Sequence, residues 1–164
     1  MIIVLEVVAL FLLAVTLALS LSHMLELSGK MRLDREQYLA VQTIYYPGFT
    51  YAGASEPIAI LALVLLAFMS TTAPGFWLIC GALIAVTLTH LLYWVLTAPL
   101  NKFWLKDQKL SGGAESFFDS GSKIVGDPDW MALRDRWEWS HAYRAIAAMT
   151  AFLLLTIAVA MKSI

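Results

Sequence analysis

The chain has 164 residues, of which 60% are hydrophobic, and its formal net charge is −1. Soluble domains contain about 45–50% apolar residues, so this composition predicts a membrane protein, and the length suits one integral membrane domain over residues 1–164. The small net charge argues against nucleic-acid binding, and the single cysteine, Cys80, excludes an internal disulfide and a thiolate metal cluster.

The first predicted membrane-spanning helix covers residues 2–27, and Gly29 is placed to end it. About 20 apolar helical residues cross a bilayer core. The segment lacks a basic start and a clear cleavage site, so we expect it to be retained rather than removed as a signal peptide. Residues 30–50 mix charged and apolar positions up to a break at Pro47-Gly48, which predicts an interfacial helix or a lid after span one.

The second and third predicted spans cover residues 55–70 and 76–98. Ser55 is placed to cap span two, and Pro57 fits its first turn. Pro99 is expected to kink or end span three. Residues 103–126 then read as a polar connection.

The fourth predicted helix covers residues 128–161, with Asp127 as its cap and Pro128 at its first position. At 1.5 Å per residue this helix is about 50 Å long, which exceeds the bilayer core. We therefore expect residues 128–140 to project from the membrane beneath a belt of tryptophans. The belt would comprise Trp130, Trp137 and Trp139.

These elements predict an all-α protein, a four-transmembrane-helix antiparallel bundle. Four spans place both termini on one side and the two long loops on the other. The loops and the projecting start of the fourth helix carry nine of the eleven lysines and arginines, so the positive-inside rule predicts cytoplasmic loops and external termini. The expected partners are the lipid bilayer and a hydrophobic small molecule, and the sequence leaves open a homo-oligomer or a larger membrane complex.

All three histidines fall in predicted spans: His23 near the end of the first, His90 in the third and His141 in the fourth. Ionisable side chains inside a membrane usually face a bundle interior or a wet cavity. Because spans one and three end on the side where spans two and four begin, we expect a single polar pocket there. Its predicted members are His23, Glu26, Glu56, His90, Asn101, His141 and Arg144, with Tyr45, Tyr46, Tyr93 or Tyr143 nearby and with Trp94 and Trp137 as further lining residues.

Three cofactor hypotheses fit this pocket. His23, Glu26 and His90 are the best candidate ligands for a transition metal, although His90 lies about 10 Å deeper than His23 by helical rise. His23 and His141 match in depth and are the best pair of axial haem ligands. Cofactor-free chemistry is the third hypothesis.

The same residues also have simpler interpretations. His23 and His141 can be interfacial, and His90 can form a hydrogen bond between helices. Arg144 can pair with Glu26 or Glu56 without taking part in chemistry.

Two short segments suggest a family. TrpGluTrpSerHisAlaTyrArg at 137–144 resembles the Trp-x-x-x-His-x-x-Arg start of the last helix in anthrone oxygenase-like membrane proteins. AlaProLeuAsnLys at 98–102 resembles that family's Pro-Leu-Asn segment, with Lys102 in place of its usual second Asn. The resemblance implies a four-span protein that oxidises anthrones with molecular oxygen, and it assigns function to Asn101, His141 and Arg144.

The favoured functional hypothesis is a membrane oxidoreductase or oxygenase that acts on a hydrophobic phenol- or quinone-like substrate. His141 would remove a proton, and Arg144 and Asn101 would stabilise the resulting oxyanion. Two alternatives remain open at this point. One is a haem- or metal-binding electron-transfer protein, and the other is a non-enzymatic small subunit of a membrane complex.

Overall fold

The computed structural model describes residues 2–71, 74–104 and 129–161, and within these ranges the protein is helical and contains no strand. The all-α prediction is therefore confirmed for the described residues. The helices are α1 Ile2–Lys30, α2 Arg35–Gln42, α3 Gly48–Ala52, α4 Ser55–Met69, α5 Phe76–Leu92, α6 Ala98–Trp104 and α7 Trp130–Ala160. A 3-10 turn, Thr43–Tyr45, follows α2, and a π-helical segment, Tyr93–Thr97, joins α5 to α6.

Four helical stretches are long and apolar enough to cross a membrane, as the sequence predicted. They are Ile2–Lys30, Gly48–Met69, Phe76–Asn101 and Trp130–Ala160. The second is longer than predicted because α3 continues into α4. Ser55 does not cap α4, since Ala54 occupies the cap position and the Ser55 hydroxyl lies 2.9 Å from the Thr16 hydroxyl of α1.

Pro99 does not end the third span, because the helix continues to Trp104. A proline lacks the backbone N–H that would bond the carbonyl four residues earlier. The π-helical segment ends at Thr97, two residues before Pro99, where the ordinary hydrogen-bond ladder is interrupted. The chain thus carries Asn101 on a continuing helix rather than in a loop.

The last helix begins at Trp130, and Asp129 caps it by accepting a hydrogen bond from the Met131 backbone N–H at 3.0 Å. The predicted cap, Asp127, and Pro128 lie outside the described residues. So does the predicted polar connection, except for Phe103 and Trp104, which belong to α6.

One apolar core lies among α1, α4, α5 and α7. The last helix packs along α1 and α5, and α4 packs against the same two helices. Small residues allow close approach: a Cβ atom on Gly75 would lie 3.0 Å from the Ala158 carbonyl oxygen. The outer faces expose large apolar side chains such as Phe11, Phe68 and Trp77, as contact with lipid requires.

A second core covers the first turns of α7. It is formed by Tyr38, Tyr45, Leu100, Trp104 and Trp137. Helix α2 is set by a capping box, in which Asp34 and Gln37 exchange side-chain hydrogen bonds with each other's backbone. Trp137 is only 5% exposed and is therefore not a belt residue, whereas Trp139 is 49% exposed.

Candidate functional site: a polar pocket between the helices

A pocket of about 570 Å³ lies between the helices at the end where the second core begins. Ten of the predicted residues line it: His23, Tyr45, Tyr46, Glu56, His90, Tyr93, Asn101, Trp137, His141 and Arg144. The pocket is also lined by Gln42, Phe49, Pro57 and Trp104. We call this cavity the polar pocket. Its mainly apolar walls with a few convergent polar groups are typical of small-molecule sites.

Three predicted pocket residues lie elsewhere. Tyr143 and Trp94 are 50% and 40% exposed. Glu26 has a side chain that is 43% exposed and accepts a hydrogen bond from the Tyr45 hydroxyl. Trp94 still acts on the polar pocket, because its indole N–H donates to His90 Nε2 at 3.0 Å.

The Glu56 carboxylate joins three membrane helices. Arg144 of α7 forms an ion pair with its Oε1, and His90 Nδ1 of α5 lies 3.2 Å from its Oε2. Glu56 and Arg144 are both buried. A buried charge is costly unless it is paired, so this ion pair fixes the two side chains against each other. The sequence had left Arg144 to pair with Glu26 or Glu56, and the structure favours Glu56.

The hydrogen bonds of the three histidines fix their neutral tautomers. Each ring has one nitrogen within hydrogen-bond distance of a group that only donates. Arg144 Nη1 lies 3.3 Å from His141 Nδ1, Lys30 Nζ lies 3.1 Å from His23 Nδ1, and Trp94 donates to His90 Nε2. In the neutral rings of His141 and His23 the proton is therefore on Nε2, and in His90 it is on Nδ1.

Four buried nitrogens in the wall have no hydrogen-bond partner among the described residues. They are Gln42 Nε2, Trp104 Nε1, His141 Nε2 and Arg144 Nε. Each belongs to a residue that lines the polar pocket and is at most 8% exposed. All four are N–H donors, His141 by the tautomer above. Buried donors are normally paired, and these four have almost no accessible surface, so an acceptor oxygen in the pocket reaches them only after neighbouring side chains move.

Asn101 connects two aromatic side chains of the wall. Trp137 Nε1 donates to Asn101 Oδ1 at 2.9 Å, and Asn101 Nδ2 donates to the Tyr93 hydroxyl at 3.4 Å. Trp137 in turn packs against His141, four residues later on α7, with ring centroids 4.3 Å apart. Asn101 therefore orients the wall, and its amide is held by two partners.

The geometry does not assemble the predicted metal ligands. Within residues 2–71, 74–104 and 129–161, no three His, Cys, Asp or Glu side chains are grouped so that they could hold a metal ion. His23, Glu26 and His90 instead contact Lys30, Tyr45 and Glu56, respectively.

The predicted axial pair does not fit a haem. The rings of His23 and His141 stack with centroids 4.0 Å apart and an interplanar angle of 31°. Axial ligands must lie on opposite faces of the porphyrin. A contact this close leaves no space for a porphyrin between the two rings.

A second polar group beside the polar pocket was not predicted. Lys30 Nζ lies 3.0 Å from Glu26 Oε2 and 3.5 Å from Glu138 Oε1, and the Tyr38 hydroxyl donates to Glu138 Oε1 at 2.9 Å. With Tyr45 these residues form what we call the Lys30 cluster. Burial, reinforced by the Glu138 carboxylate, raises the pKa of Tyr38, and burial with the hydrogen bond to Glu26 raises the pKa of Tyr45.

Helical spacing was a signal for the Lys30 cluster. Lys30 follows Glu26 by four residues and His23 by seven, and Glu138 precedes His141 by three. These separations place the side chains on common helix faces. The sequence analysis did not single out Lys30 or Glu138, because residue 30 falls in the predicted first loop and residue 138 in the segment expected to project from the membrane.

Comparison with protein-family models, with curated proteins and with solved structures found no match for the chain. The resemblance of residues 98–102 and 137–144 to anthrone oxygenase-like proteins therefore remains a hypothesis.

Proposed function

We propose that the protein is a membrane oxidoreductase of the oxygenase type that acts on a hydrophobic phenol- or quinone-like substrate in the polar pocket. The observation that carries this proposal is the polar pocket itself, whose mainly apolar wall contains the polar side chains of Asn101, His141 and Arg144. An aromatic ring system matches the apolar wall, and its carbonyl or phenolate oxygens match the few polar side chains of that wall. The apolar outer faces of the helices give such a substrate a route from the bilayer.

The proposal includes a membrane arrangement. The four spans form an antiparallel bundle, and Arg35–Gln42 lies at the membrane interface. The long loops face the cytoplasm and the termini face outward, as the distribution of lysine and arginine favours. The polar pocket then opens near the cytoplasmic leaflet.

The hydrogen bonds support a revised role for His141. Its Nδ1 is held by the donor-only guanidinium of Arg144, so its Nε2 carries the proton. We therefore assign to His141 the donation of this proton to a substrate oxygen rather than the removal of a proton. Together with Arg144, it stabilises the enolate or phenolate that forms when the substrate ionises. Asn101 positions Trp137 and Tyr93. Glu56, which lines the polar pocket between Arg144 and His90, is the carboxylate to which we assign removal of the substrate proton.

The overall reaction balances with molecular oxygen as the oxidant. A methylene group next to an aromatic carbonyl loses a proton, and the resulting enolate carbon forms a bond to O₂. Protonation and loss of water then give a new carbonyl group. One CH₂ group and one O₂ thus become one C=O group and one H₂O.

Oxygen uptake by the purified protein in lipid nanodiscs tests this function. With anthrone as the probe, we expect one O₂ consumed for each anthraquinone formed, at a rate that exceeds the protein-free rate. The Arg144→Met variant should lose this excess, whereas Tyr143→Phe, on the exposed face of α7, should keep it. Failure of the wild-type protein both to bind anthrone by equilibrium dialysis and to accelerate its oxidation would contradict the proposal.

A further inference from the structure

Lys30 lies at the centre of a buried group of ionisable side chains. It is only 4% exposed, although it is the last residue of α1. Its ammonium group faces His23 and Glu26 on its own helix, Glu138 on α7 and the rings of Tyr45 and Trp137. A buried lysine with two carboxylates and an imidazole within 3.5 Å is unusual for a residue that could simply extend into water.

Lys30 connects the polar pocket, through His23, with the surface of the protein, through Glu26. His23 lines the polar pocket and stacks on His141. Glu26 has a side chain that is 43% exposed. Lys30 Nζ lies 3.1 Å from His23 Nδ1 and 3.0 Å from Glu26 Oε2, so it is within hydrogen-bond distance of both. A continuous path of hydrogen bonds thus runs from the outside of the protein to the pocket wall.

We propose that Glu26, Lys30 and His23 form a proton path that supplies the polar pocket from outside. The inference rests on the proposed function, in which the oxygen adduct takes up one proton from water in a site with apolar walls. Glu56 must then release to water, before the next turnover, the proton that it took from the substrate, so the cycle has no net proton gain. The path uses none of the residues to which binding or stabilisation of the substrate has been assigned.

Each step conserves protons. The Lys30 ammonium gives a proton to His23 Nδ1 while His23 Nε2–H gives its proton to the anionic oxygen in the pocket. Glu26, protonated from water, then restores the ammonium group of Lys30. Rotation of the His23 ring about its Cβ–Cγ bond returns an N–H to the pocket side. The net result is one proton moved from water to the bound anion.

A coloured phenol tests the path without requiring turnover. The ionisation of 2-hydroxy-1,4-naphthoquinone changes its visible absorbance, so a rapid pH drop reports how fast the pocket-bound anion is protonated. The informative variant is Lys30→Arg. Arginine keeps the positive charge and donor contacts to Glu26, Glu138 and His23, but its guanidinium does not release a proton in proteins.

We expect Lys30→Arg to bind the probe with wild-type affinity and to slow its protonation about 100-fold, the scale of a lost positioned proton donor. Glu26→Gln should slow protonation in the same way, whereas Glu36→Gln, on the exposed face of α2, should not. Added methylammonium should restore part of the rate in the Lys30→Arg and Glu26→Gln variants.

Two results would overturn the inference, and only one of them would also contradict the proposed function. Wild-type protonation rates in both Lys30→Arg and Glu26→Gln, with the probe bound, would exclude this path while leaving the proposed function intact. Failure of the wild-type protein to bind the probe would contradict the proposed function and the path together.

Discussion

Arg144 and Glu56 form a buried ion pair that joins the last membrane helix to the second. His90 binds the other oxygen of the same carboxylate, so three helices meet at one side chain. Removing one partner leaves the other charge buried and unpaired, whereas removing both removes the two desolvation costs together.

This pair gives the first prediction. The single substitutions Glu56→Met and Arg144→Met should each lower the free energy of unfolding by about 3–5 kcal/mol. The double variant should be destabilised by clearly less than the sum of the two. Reversible unfolding in mixed micelles measures the three values, and additive losses would show that the two side chains do not interact.

Contact between α5 and α7 depends on Gly75. A Cβ atom there would lie 3.0 Å from the Ala158 carbonyl oxygen and 3.1 Å from its Cα, and this backbone cannot move aside as a side chain can. Gly75→Ala should therefore destabilise the protein by about 1–3 kcal/mol.

Gly29→Ala is the matched control for Gly75→Ala, because a Cβ atom at Gly29 meets nothing within 4 Å. Gly29 lies inside helix α1, where alanine stabilises by about 0.5–1 kcal/mol relative to glycine. Thermal unfolding of both variants tests the contact between α5 and α7. Equal losses of stability in Gly75→Ala and Gly29→Ala would contradict it.

Trp137 and Trp139 should differ in their access to lipid. Trp137 donates its indole N–H to Asn101 inside the protein, whereas Trp139 is 49% exposed. Nitroxide-labelled lipids should quench the fluorescence of Trp139 and leave that of Trp137 nearly unchanged. The comparison uses Trp137→Phe and Trp139→Phe, and only the second should reduce the quenchable fraction. A reduction in Trp137→Phe instead would place that indole in a lipid belt.

Tyr38 should make the protein sensitive to alkali. Burial and the neighbouring Glu138 raise its pKa in the folded state, so the folded protein keeps the phenol proton at a pH where the unfolded chain loses it. The folded state then binds more protons than the unfolded state, and stability falls as pH rises above about 10, the ordinary tyrosine value. Unfolding followed between about pH 9 and 11 should show a shallower fall in Tyr38→Phe than in wild type. Parallel curves would contradict the assignment.

The spans could be predicted from the sequence because hydrophobic length is a local property. Their ends were less predictable. Pro99 was expected to kink or end a helix, and it does not end it, because the helix continues through the π-helical segment Tyr93–Thr97 into α6. Ser55 was expected to cap α4, but its hydroxyl contacts Thr16 instead. In both cases the outcome depends on hydrogen bonds with other residues, and the residue type at that position alone does not determine them.

Most members of the polar pocket could be predicted because helix order brings the polar residues of four spans to one end. Their pairing could not, because it depends on helix rotation and depth. That is why His90 meets Glu56 rather than His23 and Glu26. Gln42 and Trp104 were missed as pocket residues because they lie on short helices whose positions follow from the second core.

Turnover of His141→Gln compared with His141→Leu tests the central claim most directly. Glutamine keeps an N–H donor but cannot serve as a base near neutral pH, and leucine provides neither function. If His141 donates to the substrate oxyanion, oxygen uptake with anthrone should fall about 10²–10³-fold in the Leu variant and remain close to wild type in the Gln variant. Equal and severe losses in the two variants, with anthrone still bound, would contradict a donor role.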